Sequence, residues 1–175
     1  MVAKKLEKKL LELGAKVIMT RADYNATLSN IGRAKLANEA NVDFVIRIHA
    51  DGMNNKSAKG MSVLLPASKH IKDKNIISKS RELGTLILDE CVRSTGSKNR
   101  GLVERPDMTG FNWSTVPAVL LEMGFMSNPE EDALLSTKEY QDKIVDGVVA
   151  CILAYCSKWW TIELARRYDA LTNGK

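Results

Sequence analysis

Phe44-Val45-Ile46-Arg47-Ile48-His49-Ala50-Asp51 is a mostly apolar run that one arginine interrupts and a histidine closes. Apolar residues at successive positions suit a strand covered on both faces rather than on one. Pro117 opens a second such run, a strand predicted over Ala118 to Leu121 and ending at Glu122. Met61 to Leu65 is a third, stopped by Pro66. The segments around these runs carry the other periodicity. Val2, Leu6, Leu10 and Leu13 recur at helical spacing over residues 2–13, and Gly14 sits where a C-cap belongs. Ala15 to Thr20 is then predicted as a short strand. Thr27 or Ser29 caps a second helix that runs to about Asn41. Ile76, Ile77, Leu83, Ile87 and Cys91 place a helix over 76–94, ended by Gly96. Residues 97–116 read as a long polar and aromatic loop, of a length that is often functional in compact domains. Gly124 and Asn128-Pro129 mark a turn. Thr137 caps a last long helix with Ile144, Val148, Ile152 and Tyr155 on one face.

Strands that alternate with helices give an α/β class: a mostly parallel twisted sheet with helices on both faces. The expected organisation is one domain over residues 1–157 and a helical tail over 158–175 that carries Trp159 and Trp160. The 175 residues, 45% of them hydrophobic, can bury a core without disulfides or a structural metal. Cys91, Cys151 and Cys156 form no CxxC pair and read as small buried residues. The net charge of +5 favours anionic partners. The densest basic run, Lys4, Lys5, Lys8 and Lys9, is interleaved with Glu7 and Glu12, so it reads as a solvated helix face and not as a nucleic-acid stripe. No apolar run approaches a membrane span, and Met1 is followed by a charged amphipathic segment instead of an export signal.

In sheets of this class ligands bind beyond the carboxyl ends of the strands, where His49 and Glu122 fall. Imidazole is a common zinc ligand, although a hydrogen-bonded structural histidine has the same signature. A carboxylate that enters an apolar pocket is costly unless it is paired or metal-bound, and desolvation raises its pKa toward the range of a general base. Pairing with an arginine is the structural alternative. His70 lies in a lysine-rich stretch and reads as exposed, and Asp51 as a cap of the following loop. Glu104 and Asp107 read as ion-pair partners near Arg100 and Arg105. There is no HExxH, no phosphate-binding glycine loop and no GxSxG.

Taken together, these segments resemble a known family. Pro117-Ala118-Val119-Leu120-Leu121-Glu122-Met123-Gly124-Phe125-Met126-Ser127-Asn128-Pro129 resembles its P-A-V-L-v-E-x-G-F-x-S-N segment, and Arg47-Ile48-His49-Ala50-Asp51 its S-I-H-A-N segment. Thr20-Arg21 through Ala37-Asn38 is similar to the stretch that precedes the histidine, and Arg100-Gly101-Leu102 to an R-G-v/l step. The family is the zinc-dependent N-acetylmuramoyl-L-alanine amidases: autolysins, sporulation amidases and phage endolysins. The likeness runs over about residues 2–156.

The resemblance implies a peptidoglycan hydrolase that cuts the amide bond between N-acetylmuramic acid and L-alanine. By it, Glu122 is the catalytic residue, His49 a ligand of one zinc ion, and Asn112 a substrate contact from the 97–116 loop. It also implies muropeptides as partners and a cell-wall or extracellular location. One departure counts against a complete site. The family's first strand, with its H-G-G zinc histidine, and the glutamate ligand that opens the first helix have no counterpart in this sequence. Only His49 of the zinc set remains, and the sheet is expected to expose an edge open to self-association. The alternative expectation is a metal-free amidase fold that binds wall peptides.

Overall fold

The structure, a computed structural model, describes residues 2–21 and 27–157. Its four strands are β1 (Val45–Asp51), β2 (Met61–Leu65), β3 (Asn99–Glu104) and β4 (Ala118–Phe125), in the order β1-β4-β2-β3. β1 pairs parallel with β4, and β2 parallel with β3. The helices are α1 (Val2–Glu12), α2 (Asn30–Glu39), α3 (Lys74–Thr95), α4 (Thr109–Asn112), α5 (Pro129–Ser136) and α6 (Lys138–Cys156).

Side chains that alternate across the pleat divide the core in two. Ile46, Ile48, Val63, Leu65, Val119 and Leu121 face one way and pack with apolar residues of α1, α3 and α6. Val45, Leu64, Ala118 and Leu120 face the other way, toward Phe111 of α4 and Met108. α3 and α6 cross closely because Gly147 has no side chain: a Cβ there would lie 2.8 Å from the Cys91 Cα. α1 is fixed to α6 by Val2 and Leu6 in the core and by Lys5–Asp142 and Lys9–Asp146 ion pairs at the surface.

The helix ends follow the sequence rules. Ser29 Oγ accepts a hydrogen bond from Gly32 N, and Thr137 Oγ1 one from Tyr140 N. Gly14 and Gly96 turn left-handed, with φ of 86° and 72°, where a side chain would be strained. All three cysteines are buried and unpaired. Burial pushes the Cys91 thiol up to about 12 and the Cys156 thiol to about 11, so neither is a nucleophile at neutral pH.

Three expectations need correction. Ala15 to Thr20 is not a strand; its apolar centre has no neighbouring strand among the described residues, and a ladder needs one. The 97–116 segment is no single loop, since β3 and α4 lie in it. β3 escaped notice because Asn-Arg-Gly-Leu-Val-Glu is polar at both ends, as suits an edge strand. The sheet is mostly parallel, as expected; β2 meets β4 antiparallel, a detail of direction that hydrophobic pattern does not carry. The turn at Asn128-Pro129 opens a helix, α5, with Asn128 as the cap and Pro129 at its start. Trp159, Trp160 and the tail over 158–175 lie outside the described residues.

Candidate active site

β1 and β4 run in register, with Val45 beside Ala118, Arg47 beside Leu120 and His49 beside Glu122. Ala118 and Leu120 face α4, so Arg47, His49 and Glu122 share that face. Neighbouring strands stand about 4.8 Å apart, which makes His49 and Glu122 adjacent at the carboxyl end of the sheet. Ser62 lies opposite Glu122 on the other flanking strand. The register then slips. Asp51 pairs with Phe125, so β4 bulges at Met123 and Gly124. Gly124 adopts φ of 144°, and a Cβ there would lie 3.1 Å from Glu131 Oε2.

The loops above the two strands are laced together. Met126 N donates to the Asp51 carbonyl at 2.8 Å, and Met53 N to Ser127 Oγ at 3.0 Å. Glu131 is buried and accepts from Gly60 N at 2.8 Å and Phe125 N at 2.7 Å. This carboxylate was not singled out from the sequence. Its position three residues into a capped helix was the only signal available.

Glu122 is 8% exposed, and its Oε2 is buried with no hydrogen-bond partner among the described residues. Burial, and then the negative charge of Asp51, pushes its carboxyl up to about 7, against an opposing pull from Arg47 and Arg105. At neutral pH it can both take and give a proton. His49 is exposed on its open side. Its pKa is lowered, first by water lost to the sheet around it, then by the charges of Arg47, Arg33 and Arg21. A lowered pKa keeps the imidazole neutral, the form that ligates metals.

Arg47 is half-buried beside these two groups. Its Nη2 donates to Asn30 Oδ1 at 3.1 Å. Its Nη1 fills the space over Gly110, where a Cβ would lie 2.6 Å away. No residue with a side chain fits at 110 while Arg47 keeps this position.

The other sequence candidates are exposed or have partners of their own, although Asp51 adds its charge to that of Glu122. His70 is exposed. Asp107 forms a forked ion pair with Arg105, and Glu104 pairs with Arg81 across β3 and α3 rather than with a loop arginine. Asp51 Oδ1 accepts from Gly52 N and so caps its own loop. Asn112 Nδ2 donates to the Pro106 carbonyl at 2.9 Å, while its Oδ1 is buried without a partner among the described residues. Asn112 thus braces the 105–108 turn. Trp113 packs with Lys35, and its carbonyl accepts from Asn38.

The comparisons with known proteins converge. The N-acetylmuramoyl-L-alanine amidase family model matches residues 1–154. An uncharacterized protein of Bacillus subtilis, YqiI, is 30% identical over 155 residues, covering 88% of this chain and 70% of its own length. An N-acetylmuramoyl-L-alanine amidase of Clostridium difficile superposes with a TM-score of 0.80 at 29% identity, covering 91% of this chain and 82% of that one. The amidase Ami1 of Mycobacterium smegmatis superposes with a TM-score of 0.81 at 28% identity, covering 90% and 74%.

Proposed function

The chain belongs to the N-acetylmuramoyl-L-alanine amidase family, and on that premise we propose that it cleaves the bond between N-acetylmuramic acid and L-alanine with Glu122 as general base. The family makes it a peptidoglycan hydrolase. The observation that carries the residue assignment is the buried Glu122 carboxyl with a pKa of about 7, its Oε2 without a partner among the described residues, in register with His49. Glu122 takes a proton from the attacking water and returns it to the L-alanine nitrogen as the amide bond breaks. Such proton transfer typically contributes about a hundred- to ten-thousandfold in rate. Asn112 is the proposed substrate contact of the 97–116 segment; its buried Oδ1 is without a partner among the described residues, and a small shift of the 105–108 turn would open it to an N–H of the peptide. The setting is the cell wall, as the family's substrate requires. Among the described residues, no helix is long and apolar enough to cross a membrane.

His49 is the residue that would hold zinc. A single imidazole falls short of the three protein ligands a catalytic zinc takes, and among the described residues no group of three His, Cys, Asp or Glu side chains could hold a metal. These donors do not fit a zinc ion on their own. That shortfall favours a second reading, a module that binds wall peptides without cutting them.

Purified peptidoglycan separates the readings. The expected result is release of new L-alanine amino termini, measured by amino-terminal labelling and chromatography. New termini from other stem-peptide residues would make the chain a peptidase instead. Sedimentation with peptidoglycan and no new termini would leave the binding module.

A further inference from the structure

Arg47 breaks an otherwise apolar stretch of β1, two residues before His49 and on the same face of the sheet. A guanidinium there is expensive, because it loses water on the sheet and lies near the positive charge of Arg33, which the charge of Glu122 offsets only in part. Packing alone does not require it, since the neighbouring position on that face is Val45. The fold nevertheless makes room for it: position 110 is a glycine whose missing side chain is replaced by the guanidinium. Among the described residues its one hydrogen bond goes to Asn30 Oδ1, a neutral acceptor, and it forms no ion pair. A guanidinium has several N–H donors in a planar fork that matches a carboxylate. Glu122 Oε2, buried on the same face, has no hydrogen-bond partner among the described residues, so it does not take up the fork.

We propose that Arg47, supported by Arg33, is a carboxylate-binding subsite that selects wall peptides with a free acidic group close to the scissile amide. This rests on the amidase reading, because it takes the wall peptide as ligand. In such peptides the residue after L-alanine carries a carboxylate that is either free or amidated, so the subsite discriminates between those two wall chemistries. The ligand carboxylate accepts from Arg47 and places the amide over Glu122 and His49.

The test compares binding of N-acetyl-L-alanyl-D-glutamate with its D-isoglutamine counterpart, by calorimetry at low salt, on the full chain. His49 and His70 are the two histidines of the sequence, so imidazole NMR signals locate the ligand as well. The acid should bind about tenfold tighter than the amide and shift the His49 signals but not those of His70. Arg47→Ser should abolish the preference, and Arg47→Lys should keep part of it; a thermal unfolding curve checks that both fold.

Equal binding of the two dipeptides by the natural chain, or a preference that survives Arg47→Ser, would overturn the subsite and leave the amidase reading standing. If neither dipeptide binds but glutarate binds in an Arg47-dependent way, the subsite holds and the wall-peptide ligand is wrong. Absence of binding by all three probes overturns the subsite.

Discussion

β1 and β4 run side by side in register, each an apolar stretch that ends in a polar side chain facing the same way. Every residue of β4 except Met123 is buried, whereas β1 is half-buried along its length and exposed at His49. The difference does not come from composition. β4 has a strand on each side, while among the described residues β1 is paired only with β4. Two ends of one site therefore acquire opposite properties. The carboxyl on the inner strand is stripped of water and drawn toward neutrality, and the imidazole on the outer strand keeps access to solvent and ligands. Burial is set by neighbours, and chemistry follows burial.

The largest effect that can break this contrast is kinetic. Glu122→Gln keeps shape but removes the base, so cleavage of peptidoglycan should slow about a thousandfold with little change in KM. A loss below about threefold would remove Glu122 from the reaction.

Stability gives the next test. Leu121→Ala on β4 should cost about 3–4 kcal/mol, and Ile48→Ala on β1, opposite it, about 1–2 kcal/mol, because only the first leaves an enclosed cavity. Urea unfolding measures both, and equal costs would mean that β1 is as well covered as β4.

The smallest effect is in pH dependence. The carboxyl of Glu122 lies near 7 in the folded chain, raised by burial and by Asp51, against about 4.3 when unfolded. The folded state binds this proton more tightly. The group's stability contribution is therefore fully present below the unfolded value and is lost as pH rises to 7. Glu122→Gln should accordingly stabilise the chain by about 1 kcal/mol at pH 8 and by almost nothing at pH 4. A gain independent of pH would assign the effect to packing.

Much of this contrast was legible in the sequence. The apolar runs placed β1, β2 and β4, and the position of His49 and Glu122 at strand ends marked the candidate site. Caps at Ser29 and Thr137 are local chemistry that a sequence states directly. What was hidden depends on partners. Ala15 to Thr20 has strand-like composition but no strand beside it among the described residues. The reach of Arg47 to Asn30 and Gly110 joins residues far apart in the chain, and no periodicity encodes it. Glu131 looked like one more acid in the run Pro-Glu-Glu-Asp at a turn, and only the fold shows two backbone amides converging on it.

That convergence has a thermodynamic corollary. Gly60 leads into β2, Phe125 ends β4, and Glu131 opens α5, so one carboxylate closes a knot among three segments. None of the three can open without exposing a donor that the others leave buried. These segments should consequently unfold as one cooperative unit, a foldon, and not fray one by one. The carboxyl end of the sheet, where His49 and Glu122 meet, would then lose its order in a single step, coupled to the first turn of α5.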